Sequence, residues 1–352
     1  MDLTPFDFDL PEHLIALRPV EPREAARLLL VRGDGRLEDH QIRDLPKLLK
    51  AGDTMVFNDT RVIPAALKGI RRARDENGRD IEVTVNLAQP MEEAGQWQAL
   101  ARPGKRLRIG DVIHIGEDFR AEIIGKYEDG RVALAFNCSG EALDGALETY
   151  GNMPLPPYIA RRRPADARDK RDYQTRFAGD IAASVAAPTA GLHFTQALLT
   201  DIDKARIHRE KVRLHVGMGT FAPLTEAHWQ SGKLHKEWRE LTEQTAHALN
   251  TNRDMAGRII PVGTTAMRTL ESAVDAAGRL SASSGPTDIF IRPGDPVRAS
   301  DGLLTNFHLP RSSLFMLVSA LMGTDIMQAA YAHAIKAEYR FYSYGDACLL
   351  LP

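Results

Sequence analysis

The chain has 352 residues, 43% of them hydrophobic and 26% charged, which suits two packed domains and excludes a disordered chain or a small module. The longest apolar run, residues 313–322, is well short of the roughly 20 residues a membrane-spanning helix needs, and no basic-then-apolar leader opens the sequence, so the chain is expected neither to span a membrane nor to be secreted. Forty-five Lys and Arg against 47 Asp and Glu leave a net charge of −2, which excludes an overall basic field, and the two cysteines, Cys138 and Cys348, are too few for a disulfide framework or a paired-cysteine metal site.

In chain order, residues 27–32 predict a strand ending in a Gly33-Asp34-Gly35 turn, Leu45, Leu48 and Leu49 stand at helical spacing, and residues 54–57 predict a buried strand. From residue 67 the apolar residues alternate: Ile81, Val83, Val85 and Leu87, then Val112, Ile113 and Ile115, then Val132, Leu134 and Phe136. Glu128-Asp129-Gly130 between two such runs is a hairpin signal, and short strands at this spacing predict an inserted all-β barrel over residues 67–149. Residues 140–150 predict a helix. The charged stretch 161–172 has no apolar anchor beyond two alanines and predicts an exposed loop. Beyond it helices and strands alternate: helices over 195–205, 242–250, 266–277, 312–322 and 325–337, the last capped by Thr324, and strands over 211–216, 258–262, 287–292 and 340–343. The expected fold is mixed α+β. A large domain of residues 1–66 and 150–352, with a central sheet or barrel and flanking helices, carries the inserted barrel.

Four segments place polar residues where a fold does not by itself want them. Residues 184–194, SVAAPTAGLHF, put small residues, Pro188 and Gly191 ahead of a helix with His193 among apolar neighbours, either a turn that lets a ligand approach the backbone or a tight loop with a core histidine. His215 ends a strand in the glycine-rich turn 217–219 and is followed by His228, His235 and Glu237, groups that carry protons or bind metal, although their spacing matches no zinc signature. Gly263-Thr264-Thr265 joins a strand to a helix, so free N–H groups there suit an anion, or serve only as a cap, and Arg268 and Glu271 could pair on a solvated face. Residues 301–310 set Asp301, Thr305, Asn306 and His308 before an apolar helix, and residues 339–346 bring three tyrosines together, able to stack on a ligand or to fill a core. No GxGxxG or GxxxxGK[ST] loop occurs, which argues against a Rossmann dinucleotide enzyme and a P-loop NTPase.

Together with Phe6-Asp7-Phe8-Asp9-Leu10-Pro11, Asn58-Asp59-Thr60-Arg61-Val62-Ile63-Pro64, Pro154-Leu155-Pro156-Pro157-Tyr158-Ile159 and Tyr173-Gln174-Thr175, these segments resemble, in order, the S-adenosylmethionine:tRNA ribosyltransferase-isomerases of queuosine biosynthesis. The likeness runs from about Phe6 to Asp346; the family usually has Gly where Ala183 stands and Ser where Ala26 stands. The resemblance implies a bacterial cytoplasmic enzyme with a mixed α/β domain and an inserted barrel. It would move the ribosyl part of S-adenosylmethionine onto 7-aminomethyl-7-deazaguanine at the tRNA wobble position, giving epoxyqueuosine and releasing adenine and methionine. S-adenosylmethionine is then a consumed cosubstrate, with no prosthetic group and no metal, and the protein a monomer or weak dimer acting on tRNA. Candidates for proton transfer are His193, His215, His308, Glu237 and Asp301, with base and acid unassigned. Substrate contacts are expected from Asp59, Arg61, Thr189, Gly191, Gly263, Thr264, Thr265, Asn306 and Tyr344, with Asp59 and Arg61 near a domain hinge. For tRNA phosphate the expected contacts are Arg161, Arg162, Arg163, Arg168, Lys170 and Arg171, with Lys68, Arg71, Arg72 and Arg74 at the barrel entry. The competing readings are a metal-dependent hydrolase built on His215, His235 and Glu237, and a non-catalytic RNA-binding protein.

Overall fold

A computed structural model describes residues 2–128, 130–180, 182–217 and 224–352. Its strands are β1 (Arg27–Arg32), β2 (Leu37–Gln41), β3 (Thr54–Asn58), β4 (Arg61–Val62), β5 (Ala66–Arg71), β6 (Ile81–Pro90), β7 (Gln96–Arg102), β8 (Val112–His114), β9 (Arg120–Lys126), β10 (Arg131–Phe136), β11 (Ala182–Ser184), β12 (His208–Leu214), β13 (Lys233–Leu241), β14 (Ile259–Val262), β15 (Ser283–Ile289), β16 (Leu303–Asn306) and β17 (Ala347–Leu351). The chain folds as two compact units, one of Met1–Thr60, Gln174–Gly179 and Pro188–Pro352, the other of Arg61–Tyr173 and Asp180–Ala187.

The first unit is built on a nine-stranded sheet in the order β15-β13-β12-β3-β14-β16-β17-β1-β2. Strands β12, β3, β14 and β16 run parallel, β17 runs against β16, and β1 runs parallel to β17. The central strands are buried on both faces, as expected when both sides of a sheet are covered. In β1, Leu29 and Val31 join a core with Phe315, Met316 and Tyr331, while Leu28 and Leu30 join one with Met55, Phe57, Leu198 and Leu199. Helices Ser313–Met322 and Thr324–Lys336 form the first of these covering layers. No single described helix is long and apolar enough to cross a membrane.

The second unit contains a closed barrel, β10-β7-β6-β5-β8-β9, whose alternating residues Val83, Val85 and Leu87 point into its core as the period-2 pattern requires. The helix Gly140–Tyr150 follows.

Several expectations need correction. The stretch 161–172 is no plain loop: Asp166 caps a helix, Ala167–Asp172, and Asp169 and Asp172 are buried in it as partners of its arginines. The helix expected over 266–277 is Thr264–Glu271, because Val274 turns away into a bridge with Leu280. Gly323, at φ 93°, rather than Thr324, caps the last long helix. The terminal strand is Ala347–Leu351, not 340–343; its unbroken apolar run has no alternation to mark it as a strand.

Candidate active site

Parallel strands put their carboxyl ends on one edge of a sheet, where the connections leave room for a ligand. Here that edge collects most of the polar residues singled out above. From the end of β3 come Asn58, Asp59 and Thr60; from β12, His215; from β14, Gly263, Thr264 and Thr265; from β16, Asn306 and His308. Because β17 and β13 run the other way, Tyr344 and Asp346 just before β17, and Glu237 in β13 opposite the end of β12, lie at the same edge.

Asn58 organises the left side of this row. Its buried amide donates to the Leu214 carbonyl at 3.0 Å and to Thr265 Oγ1 at 3.1 Å, and its oxygen accepts from the N–H of Leu214 and of Thr60, both at 3.1 Å. Thr60 in turn holds His215: Oγ1 to Nδ1 is 2.9 Å, and the imidazole stacks on Trp238 with centroids 5.0 Å apart. The Arg213 guanidinium grips the Asp59 carboxylate with two bonds of 2.9 and 2.8 Å. Asp59 is therefore a fixed counter-charge.

On the right, the short helical turn Thr189–His193 meets the ends of β14 and β16. Gly263 has φ 91°, and a Cβ there would sit 3.4 Å from the Ala190 side chain, so the backbone passes close. Thr189 Oγ1 donates to Asn306 Oδ1 at 2.9 Å, and Asn306 Nδ2 lies 3.2 Å from His193 Nε2. With the amide donating to Nε2, the neutral imidazole carries its hydrogen on Nδ1. His308 contacts Thr305 Oγ1 through Nε2 at 3.1 Å, and its N–H donates to the Tyr331 hydroxyl at 2.9 Å.

All three histidines are neutral at pH 7. Burial lowers His193 to about 3, helped by Arg340 and Arg23; burial alone lowers His308 to about 3; and His215, half-buried, falls to about 4 through burial and Arg213, against an opposing pull from Asp59. His215 has the most access to solvent of the three.

Other expected residues lie elsewhere. Asp301 stands below the start of β16, five residues from Asn306 along extended chain, roughly 16 Å. There its carboxylate accepts the Ile259 N–H at 2.8 Å and faces Arg253, so it is not part of the cluster. Arg61 is exposed in the second unit, 3.8 Å from Glu148. Glu237 is no free base: one oxygen accepts the Gly217 N–H at 3.0 Å and the other pairs with Arg268. Arg268 does not pair with Glu271 on a solvated face; it is buried, and Glu271 accepts from the N–H of Arg298 and Ala299. Tyr344 is buried in the chain leading into β17. Met218, Gly219, Thr220 and Phe221 lie outside the described residues. Among the described residues no group of three or more His, Cys, Asp or Glu could hold a metal ion, and His235 packs against His228 instead.

The basic residues of the second unit divide in two. Arg163 clasps buried Asp169 with bonds of 2.8 and 2.7 Å, Arg168 and Arg171 reach Asp172, and Arg74 clasps Asp111. Arg71 is itself buried, whereas Arg161, Arg162, Lys170, Lys68 and Arg72 are exposed. A cleft of about 840 Å³ follows the face of β12 from Gly52 and His208 to Phe57 and Phe177 without taking in the histidine cluster. Sequence reasoning passed over Arg213, gave Asn58 and Thr60 no role of their own and set Arg268 on a solvated face, because the roles of all four depend on partners more than 30 residues away.

Known proteins resemble this chain over its whole length. A family model described as Queuosine biosynthesis protein matches residues 3–350. A relative from Hyphomonas neptunium named S-adenosylmethionine:tRNA ribosyltransferase-isomerase is 63% identical over 352 residues, covering 100% of both chains, and one of the same name from Maricaulis maris is 55% identical over 351 residues, covering 99% of each. The crystal structure of S-adenosylmethionine tRNA ribosyltransferase from Thermotoga maritima is 32% identical with a TM-score of 0.54, covering 99% of this chain and 100% of that one. With a family match over residues 3–350 and relatives 63% and 55% identical over nearly the whole of both chains, the chain belongs to the queuosine biosynthesis protein family.

Proposed function

We propose that this chain is an S-adenosylmethionine:tRNA ribosyltransferase-isomerase. It transfers and isomerises the ribosyl part of S-adenosylmethionine onto 7-aminomethyl-7-deazaguanine at the tRNA wobble position, giving epoxyqueuosine and releasing adenine and methionine. The observation that carries this reading is the 63% identity over the whole of both chains with the relative so named. The protein works in the cytoplasm, where its tRNA substrate is.

The chemistry asks for a group that takes a proton and later returns it. The sulfonium acidifies the adjacent 5′ carbon; removing a proton there opens the ribose, and adenine departs with a proton on its ring nitrogen. The aminomethyl nitrogen then adds to the resulting vinyl sulfonium and loses a proton, the regenerated sulfur ylide adds to the aldehyde uncovered by adenine's departure to close the carbon ring, and the alkoxide so formed displaces methionine to give the epoxide. We assign the first proton to His215. Thr60 holds its Nδ1 and Trp238 fixes its plane, so Nε2 is the reacting atom. Lowered to about 4, the imidazole is neutral at pH 7, so its lone pair is available although it is a weak base, and once protonated it gives its proton up readily to the leaving base. His193, through Asn306 and Thr189, positions the far side of the substrate. Arg161, Arg162 and Lys170 contact tRNA phosphate, which fixes position and not sequence.

The test incubates the protein with S-adenosylmethionine and tRNA carrying the aminomethyl-deazaguanine, follows adenine and methionine by chromatography, and weighs the digested tRNA. Release of both, dependent on the modified tRNA and matched by a mass gain, is expected. His215→Gln lowers kcat by about 100-fold with S-adenosylmethionine affinity kept. No release from folded protein and verified tRNA sinks the reading, in favour of a non-catalytic RNA-binding protein.

A further inference from the structure

The buried ion pair beside the histidines is only half used. Arg268 and Glu237 are each 6% exposed. One arm of Arg268, Nη1, donates to Glu237. Its other edge, Nε and Nη2, is buried, and among the described residues neither atom has a hydrogen-bond partner. These two atoms are the parallel donors with which a guanidinium grips both oxygens of a carboxylate. Charged donors buried without acceptors are costly to a fold, and such a group calls for an explanation in terms of what it binds.

Its position supplies one. Side chains on a helix lean toward the N-terminus, which directs the fork over the turn that opens the helix Thr264–Glu271. The first helical bond there runs from the Met267 N–H to the Gly263 carbonyl at 3.2 Å, so the N–H groups of Thr264, Thr265 and Ala266 precede it and have no acceptor within the helix. Two sets of donors therefore belong to the same short helix, its opening N–H groups and a buried guanidinium edge one turn further on. Glu237 neutralises Arg268, which suits the fork to a monoanion more than to a dianion, and burial suits it to a small molecule more than to a polymer backbone.

We infer that Arg268 binds the carboxylate of the methionine end of S-adenosylmethionine, with Glu237, anchored on the Gly217 N–H, as the residue that aims it. The inference rests on the reading of S-adenosylmethionine as cosubstrate. It makes Glu237 a positioning residue, not a proton carrier.

Calorimetric titration with S-adenosylhomocysteine and its decarboxylated counterpart tests it. The unsubstituted protein binds the carboxylate-bearing compound on the order of 10- to 100-fold more tightly. Arg268→Gln removes that preference and leaves affinity for the decarboxylated compound nearly unchanged; Arg268→Lys, which keeps the charge but not the fork, retains part of it. Equal affinity of the unsubstituted protein for both compounds overturns the inference without needing any variant to fold. A variant weakened equally toward both overturns it too, by making Arg268 structural. Failure of the unsubstituted protein to bind either compound instead removes the cosubstrate reading beneath it.

Discussion

The two ends of the parallel strands in the nine-stranded sheet carry equally polar residues and use them in opposite ways. At the amino ends two carboxylates are closed. Asp53, buried, is clasped by Arg258 at 3.0 and 2.6 Å and accepts the Lys50 N–H at 2.7 Å, while Asp301 accepts the Ile259 N–H. At the carboxyl ends the chain buries neutral histidines and a guanidinium with one edge unmatched. The first arrangement stabilises; the second holds reactive groups ready at a cost in stability, as functional sites commonly do.

The largest expected effect comes from opening the closed end. Asp53→Ala leaves Arg258 without its buried partner and costs about 3 kcal/mol in urea denaturation, while the KM for S-adenosylmethionine, measured where the variant stays folded, is unchanged. A shifted KM would break the contrast between the two ends.

Acid acts on the open end. For His193 and His308 the folded pKa of about 3 lies below the unfolded value of 6.5, so between these pH values the unfolded chain binds more protons. The stability these groups contribute is complete above pH 6.5 and is lost as pH falls, about 2 kcal/mol for each at pH 5. His308→Asn should flatten that slope in urea midpoints measured from pH 7 to 5; an unchanged slope would show that the imidazole is not the titrating group.

The smallest effect separates the exposed basic residues of the second unit from one held by a buried carboxylate. Arg161→Glu with Arg162→Glu raises the tRNA KM on the order of 10-fold, more at low salt, and leaves S-adenosylmethionine binding alone. Arg163→Glu acts instead on stability, because it confronts buried Asp169. Equal tRNA effects from both changes would erase the distinction.

Much of the framework was legible. The strand Arg27–Arg32, the alternation of Val83, Val85 and Leu87 and the helix Gly140–Tyr150 each carry their period in the local pattern. The strand Ala347–Leu351 was not legible, since a run buried on both faces has no alternation, nor was the cap formed by Asp166, which hid in a stretch that reads as solvated charge. In the site, His193, His215, His308, Asn306 and the turn at Gly263 stood out as polar residues in apolar surroundings. Asp301 stood out equally and lies at the wrong end, because residue type does not tell which end of a strand a side chain occupies.

By itself the sequence determined the elements, the family resemblance and the residue types available for chemistry, all of which depend on local spacing and order along the chain. Only the tertiary structure decided which groups meet: Asn58 with Thr265 across 207 residues, Thr60 with His215 across 155, Arg268 with Glu237 across 31. Pairing of this kind is set by strand order and direction in the sheet, and burial then sets the protonation of what is paired, so neither follows from the spacing of residues in the chain.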